Sequence, residues 1–161
     1  MNAISIFNPI ISSGISGFVK FHQCAKHKTT IIDFELEGFK PFAIHGIHIH
    51  KYGISSLTNT CDSVCDHYNP HGKLHGSIQL YGEDRHAGDL INNILADKTG
   101  KFKFSYEDTL LHVNDIIGRS IVIHSDIDDL GIYRATQKLS ATTGNAGKRI
   151  ACSNIGIFGT C

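Results

Sequence analysis

Ile32-Asp33-Phe34-Glu35-Leu36-Glu37 alternates apolar and polar side chains without a fault. Successive side chains of an extended strand point to opposite faces, so the stretch offers Ile32, Phe34 and Leu36 to a core and three carboxylates to water. That is the pattern of a half-buried antiparallel strand. The same period recurs outward along the chain. Phe102, Phe104 and Tyr106 alternate with Lys103 and Ser105, and Phe18 to Phe21 and Ile121 to His124 are rich in β-branched or aromatic residues. Glu37-Gly38, Tyr52-Gly53 and Asp97-Lys98-Thr99-Gly100 are turn signals between such runs. Helical periodicity is hard to find. Short strands with regular breaks predict an all-β sandwich or barrel of antiparallel strands.

Period two also gives meaning to His45-Gly46-Ile47-His48-Ile49-His50. His48 and His50 fall on one face of a strand, roughly 7 Å apart along the backbone. Imidazole is a good ligand for copper and zinc. A second set of histidines follows in a stretch with little alternation. Residues 51 to about 88 contain His67, His71, His75 and His86, and Asp89 comes three residues after His86. Residues 125 to 148 form another polar, irregular stretch, with Asp128-Asp129 and Thr142-Thr143-Gly144-Asn145-Ala146-Gly147. Long irregular loops are uncommon in compact proteins unless they are functional or disordered. The first of these is rich in ligand residues, and a bound metal would supply the order that local structure does not.

Composition sets the frame. A chain of 161 residues with 41% hydrophobic and 19% charged residues reads as one soluble domain over residues 1–161. Lys+Arg and Asp+Glu are both 15, which argues against nucleic acid or a membrane surface as the main partner. No apolar run approaches the ~20 residues of a membrane span. Met1 to Pro9 lacks the basic segment and long apolar core of a secretory leader, so the expected location is cytoplasmic, where thiols are normally reduced. Five cysteines are an odd number, so at least one thiol is free or pairs with another chain.

The donors divide into two sets. His67, His75, His86 and Asp89 make a closed group of four, the number a structural zinc takes. His48, His50, His67 and His124 make an all-nitrogen group that suits copper. His67 serves both only if its ring is deprotonated and each nitrogen binds one metal. His71, four residues from both His67 and His75, competes for a place and reads as a loop residue. His22, His27, His45 and His112 stand singly.

The order of these motifs resembles one family, the copper/zinc superoxide dismutases, over roughly residues 14 to 158. Gly46-Ile47-His48-Ile49-His50-Lys51-Tyr52-Gly53 resembles its copper-binding strand. His67-Tyr68-Asn69-Pro70, His75-Gly76 and Arg85-His86-Ala87-Gly88-Asp89-Leu90 resemble its zinc loop. Ile116 to His124 resembles the strand that carries the last copper ligand, and Gly144 to Cys152 the family's second signature. The resemblance implies a flattened eight-stranded Greek-key β-barrel with two long functional loops. It implies copper on His48, His50, His67 and His124, and zinc on His67, His75, His86 and Asp89. Asp128 then corresponds to the carboxylate that links one ligand of each metal, fixing ring orientation and tautomer. Arg149 corresponds to the arginine above copper, where a guanidinium suits a small anion. Cys61 and Cys152 match the family's disulfide. Cys65 has no counterpart and reads as a free thiol, with pairing to Cys152 as the alternative; Cys24 and Cys161 read as free thiols. A homodimer is implied too, with Gly53, Ile117, Gly118, Ile155 and Gly156 at the contact surface.

The implied activity converts superoxide to dioxygen and hydrogen peroxide as copper cycles between Cu(II) and Cu(I), with Arg149 orienting the anion and His67 passing a proton. The segment 130–143 departs most from the family. It has no carboxylate, and its charges are Arg134 and Lys138, which leaves the steering residues open. The loop between His50 and Cys61 is slightly longer than usual. The rival reading is a non-catalytic copper/zinc-binding or chaperone-like module. Copper chaperones with a related domain carry an added N-terminal domain with a Cys-x-x-Cys motif, which does not occur in this sequence. A relative that has lost its ligands is a third reading, opposed by the complete donor set. A copper chaperone is also an expected partner, as the source of copper.

Overall fold

A computed structural model describes residues 1–23, 29–55 and 61–159. Cys24, His27 and Cys161 lie outside the described residues. The described chain forms eight antiparallel strands: β1 (Asn2–Phe7), β2 (Ser16–His22), β3 (Thr30–Glu37), β4 (Ile44–His50), β5 (Asn93–Leu95), β6 (Lys101–Asp108), β7 (Ser120–His124) and β8 (Arg149–Ile157). Their order in the sheet is β5-β4-β7-β8-β1-β2-β3-β6. β5 and β6 stand at opposite ends of that order yet are joined by residues 96–100, so the sheet curls into a nearly closed barrel. The β3–β4 and β6–β7 connections cross over it in the Greek-key manner. The β5–β6 turn is built locally: Asp97 Oδ1 accepts from the Thr99 and Lys101 N–H groups at 2.7 and 3.0 Å.

The alternation of β3 is realised as read, with Ile32, Phe34 and Leu36 buried. It pairs in full register with β6, Phe34 opposite Phe104. β6 is the outermost strand of the order, so its aromatic stripe is only partly covered, and Phe104 remains 47% exposed. Phe102 and Tyr106 stay against Phe34, with ring centroids 5.8 and 6.2 Å away. β1 was not foreseen as a strand. It buries Ala3, Ser5 and Phe7 but shows Ile4 and Ile6 on the other face, so no polar side chains mark its period.

β4 and β7 differ from the rest because both of their faces are covered. Ile47, Ile49, Ile121 and Ile123 fill the barrel, and all are fully buried. On the outer face the register sets His48 opposite Val122 and His50 opposite Ser120, with His124 at the strand end. Residues 61–92 and 125–148 lie over this face and remove the histidines from water. Four residues here, Cys61–Val64, form a single 3-10 turn. It is tied to β8 by the disulfide Cys61–Cys152, whose Cα atoms are 5.8 Å apart. Val64, Val122 and Cys152 form a second buried cluster beneath the turn. Closing a chain segment of this length stabilises the fold by ~4–5 kcal/mol on the entropic account. Cys65 is a free thiol, half-buried, as read.

Candidate metal centre

Strand geometry and loop closure bring the two donor sets together. One ligand atom from each of His48, His50, His67 and His124 lies within 4.8 Å of the others, and the same holds for His67, His75, His86 and Asp89. All are buried, and His67 belongs to both groups. Short backbone bonds fix its place: Tyr68 N–H donates to Ile49 at 2.8 Å, and His67 forms an isolated bridge with His50. His71 is exposed and outside both groups.

Hydrogen bonds at the far side of each ring set the tautomers. A carboxylate or carbonyl oxygen only accepts, so the ring nitrogen facing it carries the proton. His48 Nε2 donates to Asp128 Oδ2 at 2.6 Å, and His75 Nε2 to Asp128 Oδ1 at 3.0 Å. His50 Nδ1 donates to the Cys65 carbonyl at 2.7 Å. The opposite nitrogens of His48 and His50 thereby turn their lone pairs inward. His48 Nδ1 and His67 Nε2 are buried with no hydrogen-bond partner. Buried polar atoms are normally paired, and two such nitrogens in one donor group call for a cation.

The second group makes the same point with distances. The Nδ1 atoms of His67, His75 and His86 stand 2.9, 3.0 and 3.1 Å from the single oxygen Asp89 Oδ1. Donors around a tetrahedral zinc are spaced about 3.3 Å apart, given bonds of about 2.0 Å. Asp89 Oδ2 is held from behind by the Gly76 and His86 N–H groups, at 3.0 and 3.1 Å. This is the reciprocal cap of the 3-10 turn Ala87–Asp89. Both donor sets therefore fit metal ions, the first with softer all-nitrogen chemistry and the second with a carboxylate.

Asp128 is itself over-determined. Besides the two imidazoles it accepts from the Leu130 N–H at 2.6 Å and from Asn92 Nδ2 at 3.3 Å, and its backbone is clasped by Asn93. Gly144 packs so closely that a Cβ there would strike the Asp128 carboxylate and the His75 ring, and its φ of 63° also favours glycine.

Charge follows burial. Desolvation, with neighbouring imidazoles, holds His48, His50 and His67 well below the usual 6.5. Burial, aided by Arg149, takes His124 down to about 4. Burial also opposes charge on His75, but hydrogen bonds to Asp128 and Asp89 prevail and raise it to about 10. Burial likewise opposes charge on Asp89, yet its three imidazole partners hold it well below the usual carboxylate range. In the metal-free chain the four lowered histidines stay neutral while their unfolded counterparts take up protons, so stability should fall as pH drops from 6.5 to about 4. His75 is protonated in both states across that window and adds no slope. Thermal unfolding of metal-free protein at pH 7 and pH 4.5 should differ by roughly 5–10 °C or more; equal midpoints would contradict this burial.

Arg149 opens β8, where a register shift sets it opposite His124. Its guanidinium donates to the carbonyls of Cys61 at 2.8 Å, Asp62 at 3.3 Å and Cys65 at 2.5 Å. The turn that carries these carbonyls is the one the disulfide anchors. Arg149 lines a pocket of ≈ 320 Å³ with His50, His67, His124 and Asp66. The carbonyl cradle and Asp66 were not foreseen; no motif marks a main-chain oxygen. Arg134, one of the two charges of segment 130–143, pairs with Asp84 at 2.7 Å and lies 3.5 Å from the centre of the Tyr81 ring, which ties this segment to the loop before β5. Ile155 and Gly53 were read as contact-surface residues. Ile155 is buried in the core, and Gly53 packs tightly on the Gly118 carbonyl within the chain.

Comparison with known proteins follows the same lines. Residues 15–155 match the family described as copper/zinc superoxide dismutase (SODC). The chain is 42% identical over 151 residues to the Cu-Zn superoxide dismutase of Paramecium bursaria Chlorella virus 1, covering 91% of this chain and 75% of that one. It is 44% identical over 144 residues to the copper chaperone for superoxide dismutase of Sus scrofa, covering 89% of this chain. It spans about half of that chaperone, 49% of its length. Among solved structures, that of the clock protein EA4 superposes with a TM-score of 0.83 at 31% identity, over 98% of this chain and 94% of that one.

Proposed function

The chain belongs to the copper/zinc superoxide dismutase family, and on that premise we propose that it is itself a superoxide dismutase. The observation that carries the reading is the pair of complete donor groups meeting at His67, with Arg149 on the pocket beside them. His48, His50, His67 and His124 would hold copper, and His67, His75, His86 and Asp89 would hold zinc. Bound copper supplies one-electron chemistry, so that one superoxide anion is oxidised to dioxygen and the next, with two protons, is reduced to hydrogen peroxide. Arg149 attracts and orients the anion with donors its carbonyl cradle leaves in place. His67 lines the same pocket, and its ring would hold a proton for the second anion. Asp128 keeps the His48 and His75 rings in the tautomer that turns Nδ1 inward.

Metal analysis and superoxide decay on one purified sample test this. About one copper and one zinc per chain with fast decay is the expected result. Both metals without accelerated decay would favour the second reading, a copper/zinc-binding chaperone-like module. That reading draws on chaperones as similar to this chain as the dismutases are. A copper chaperone as metal donor, a cytoplasmic location and a homodimer complete the proposal. The exposed side of Gly156, where a Cβ would meet nothing within 4 Å, suits a contact surface. A monomeric mass by light scattering at micromolar concentration would sink the dimer.

A further inference from the structure

The Arg149 pocket has a larger neighbour. A groove of ≈ 720 Å³ is lined by Lys51, Lys73, Arg119 and Lys138, and reaches His67 and His86. Asp66, His67 and Thr143 line both spaces. The boundary between a cationic groove and a cationic pocket therefore bears one carboxylate, Asp66. Its backbone is fixed, because its carbonyl accepts from the Lys51 N–H at 2.8 Å. Its side chain is exposed. Three of the groove cations are engaged elsewhere. Lys73 pairs with Asp84 at 3.4 Å, Lys51 lies over the Tyr52 ring, and Arg119 stacks 4.0 Å from the Tyr68 ring centre while donating to the Asp115 carbonyl. No ion pair among the described residues includes Asp66.

We propose that Asp66 is a specificity-determining residue: a fixed negative charge at the mouth that holds down the affinity of the pocket for small anions, superoxide among them. The inference rests on the reading that this pocket receives a small anion. A unit charge at such a mouth changes local anion concentration by about three- to tenfold at low ionic strength. The effect is screened by salt, since the Debye length falls to about 3 Å at 1 M. Asp66 thus acts against Arg149, and the groove lysines and Arg119 lead toward a mouth that admits anions below its full capacity.

The test uses the full chain loaded with copper and zinc, as wild type, Asp66→Asn and Asp66→Glu. Azide is the anion probe, followed by absorbance titration at about 10 mM and about 1 M ionic strength. Asp66→Asn should tighten azide binding about three- to tenfold at low salt, and the gain should vanish at high salt. Asp66→Glu, which keeps the charge, should match the wild type. Superoxide decay should accelerate in step with azide affinity. Equal azide affinity of wild type and Asp66→Asn at low salt would overturn the proposal. So would a gain that persists at high salt, or one that Asp66→Glu shares, because either would point to shape rather than charge. A chain that binds copper without dismuting superoxide would end the dismutase reading and leave the azide comparison intact.

Discussion

His67→Ala should strip the chain of both metals. His67 is the one donor common to the two groups, its Nδ1 2.9 Å from Asp89 Oδ1 and its Nε2 buried without a partner. Removing it leaves each group one donor short and puts a cavity between them. Affinity for each metal should fall by more than about 100-fold, beyond the 10- to 100-fold typical when a residue that only orients a ligand is lost. Asp128→Ala provides that comparison, because Asp128 hydrogen-bonds one ring of each donor group and belongs to neither. Metal equivalents after dialysis against a chelator, with the thermal midpoint, read the effect. The His67 variant should lose stability as well, since metal bound to the native chain alone adds RT ln(1 + [L]/Kd). Retention of copper and zinc at wild-type levels would refute the shared role.

Arg149→Glu should lower superoxide turnover by about 100-fold while leaving both metals bound. The change reverses the charge nearest the pocket, and it also removes the donors on the Cys61, Asp62 and Cys65 carbonyls. Arg149→Lys should retain part of the rate, because it keeps the charge and loses the fork of donors. Lys138→Glu, in the outer groove, should lower the rate modestly and flatten its dependence on salt. Activity of the wild type should fall as salt rises. A rate indifferent to salt and to Arg149→Glu, with metals present, would transfer the argument to the metal-binding reading. Reducing the Cys61–Cys152 disulfide should resemble a mild Arg149 defect, since the bond holds the turn on which the guanidinium rests.

Part of this site could be read before any coordinates. Period two alone places His48 and His50 on one face, and donor type alone separates an all-nitrogen set from one with a carboxylate. Those properties are local, belonging to a strand of seven residues and to the chemistry of single side chains. The alternation of Ile32 to Glu37 is local in the same sense. β1 escaped because Ile4 and Ile6 face outward beside buried Ala3, Ser5 and Phe7, so hydropathy there carries no period. The role of Arg134 stayed open because a cation in a polar loop looks free until its partner is known, and Asp84 is 50 residues away.

The donor types and the residues of the two groups belong to the sequence. What surrounds them belongs to the fold. Arg149 rests on main-chain carbonyls 84 to 88 residues distant, Asp128 reaches His48 across 80 residues, and Asp66 meets the groove cations only when two loops cover one face of β4 and β7. Backbone oxygens leave no mark on a sequence, and a charge acquires its sign of action only from the distance to the charges that tertiary packing places beside it.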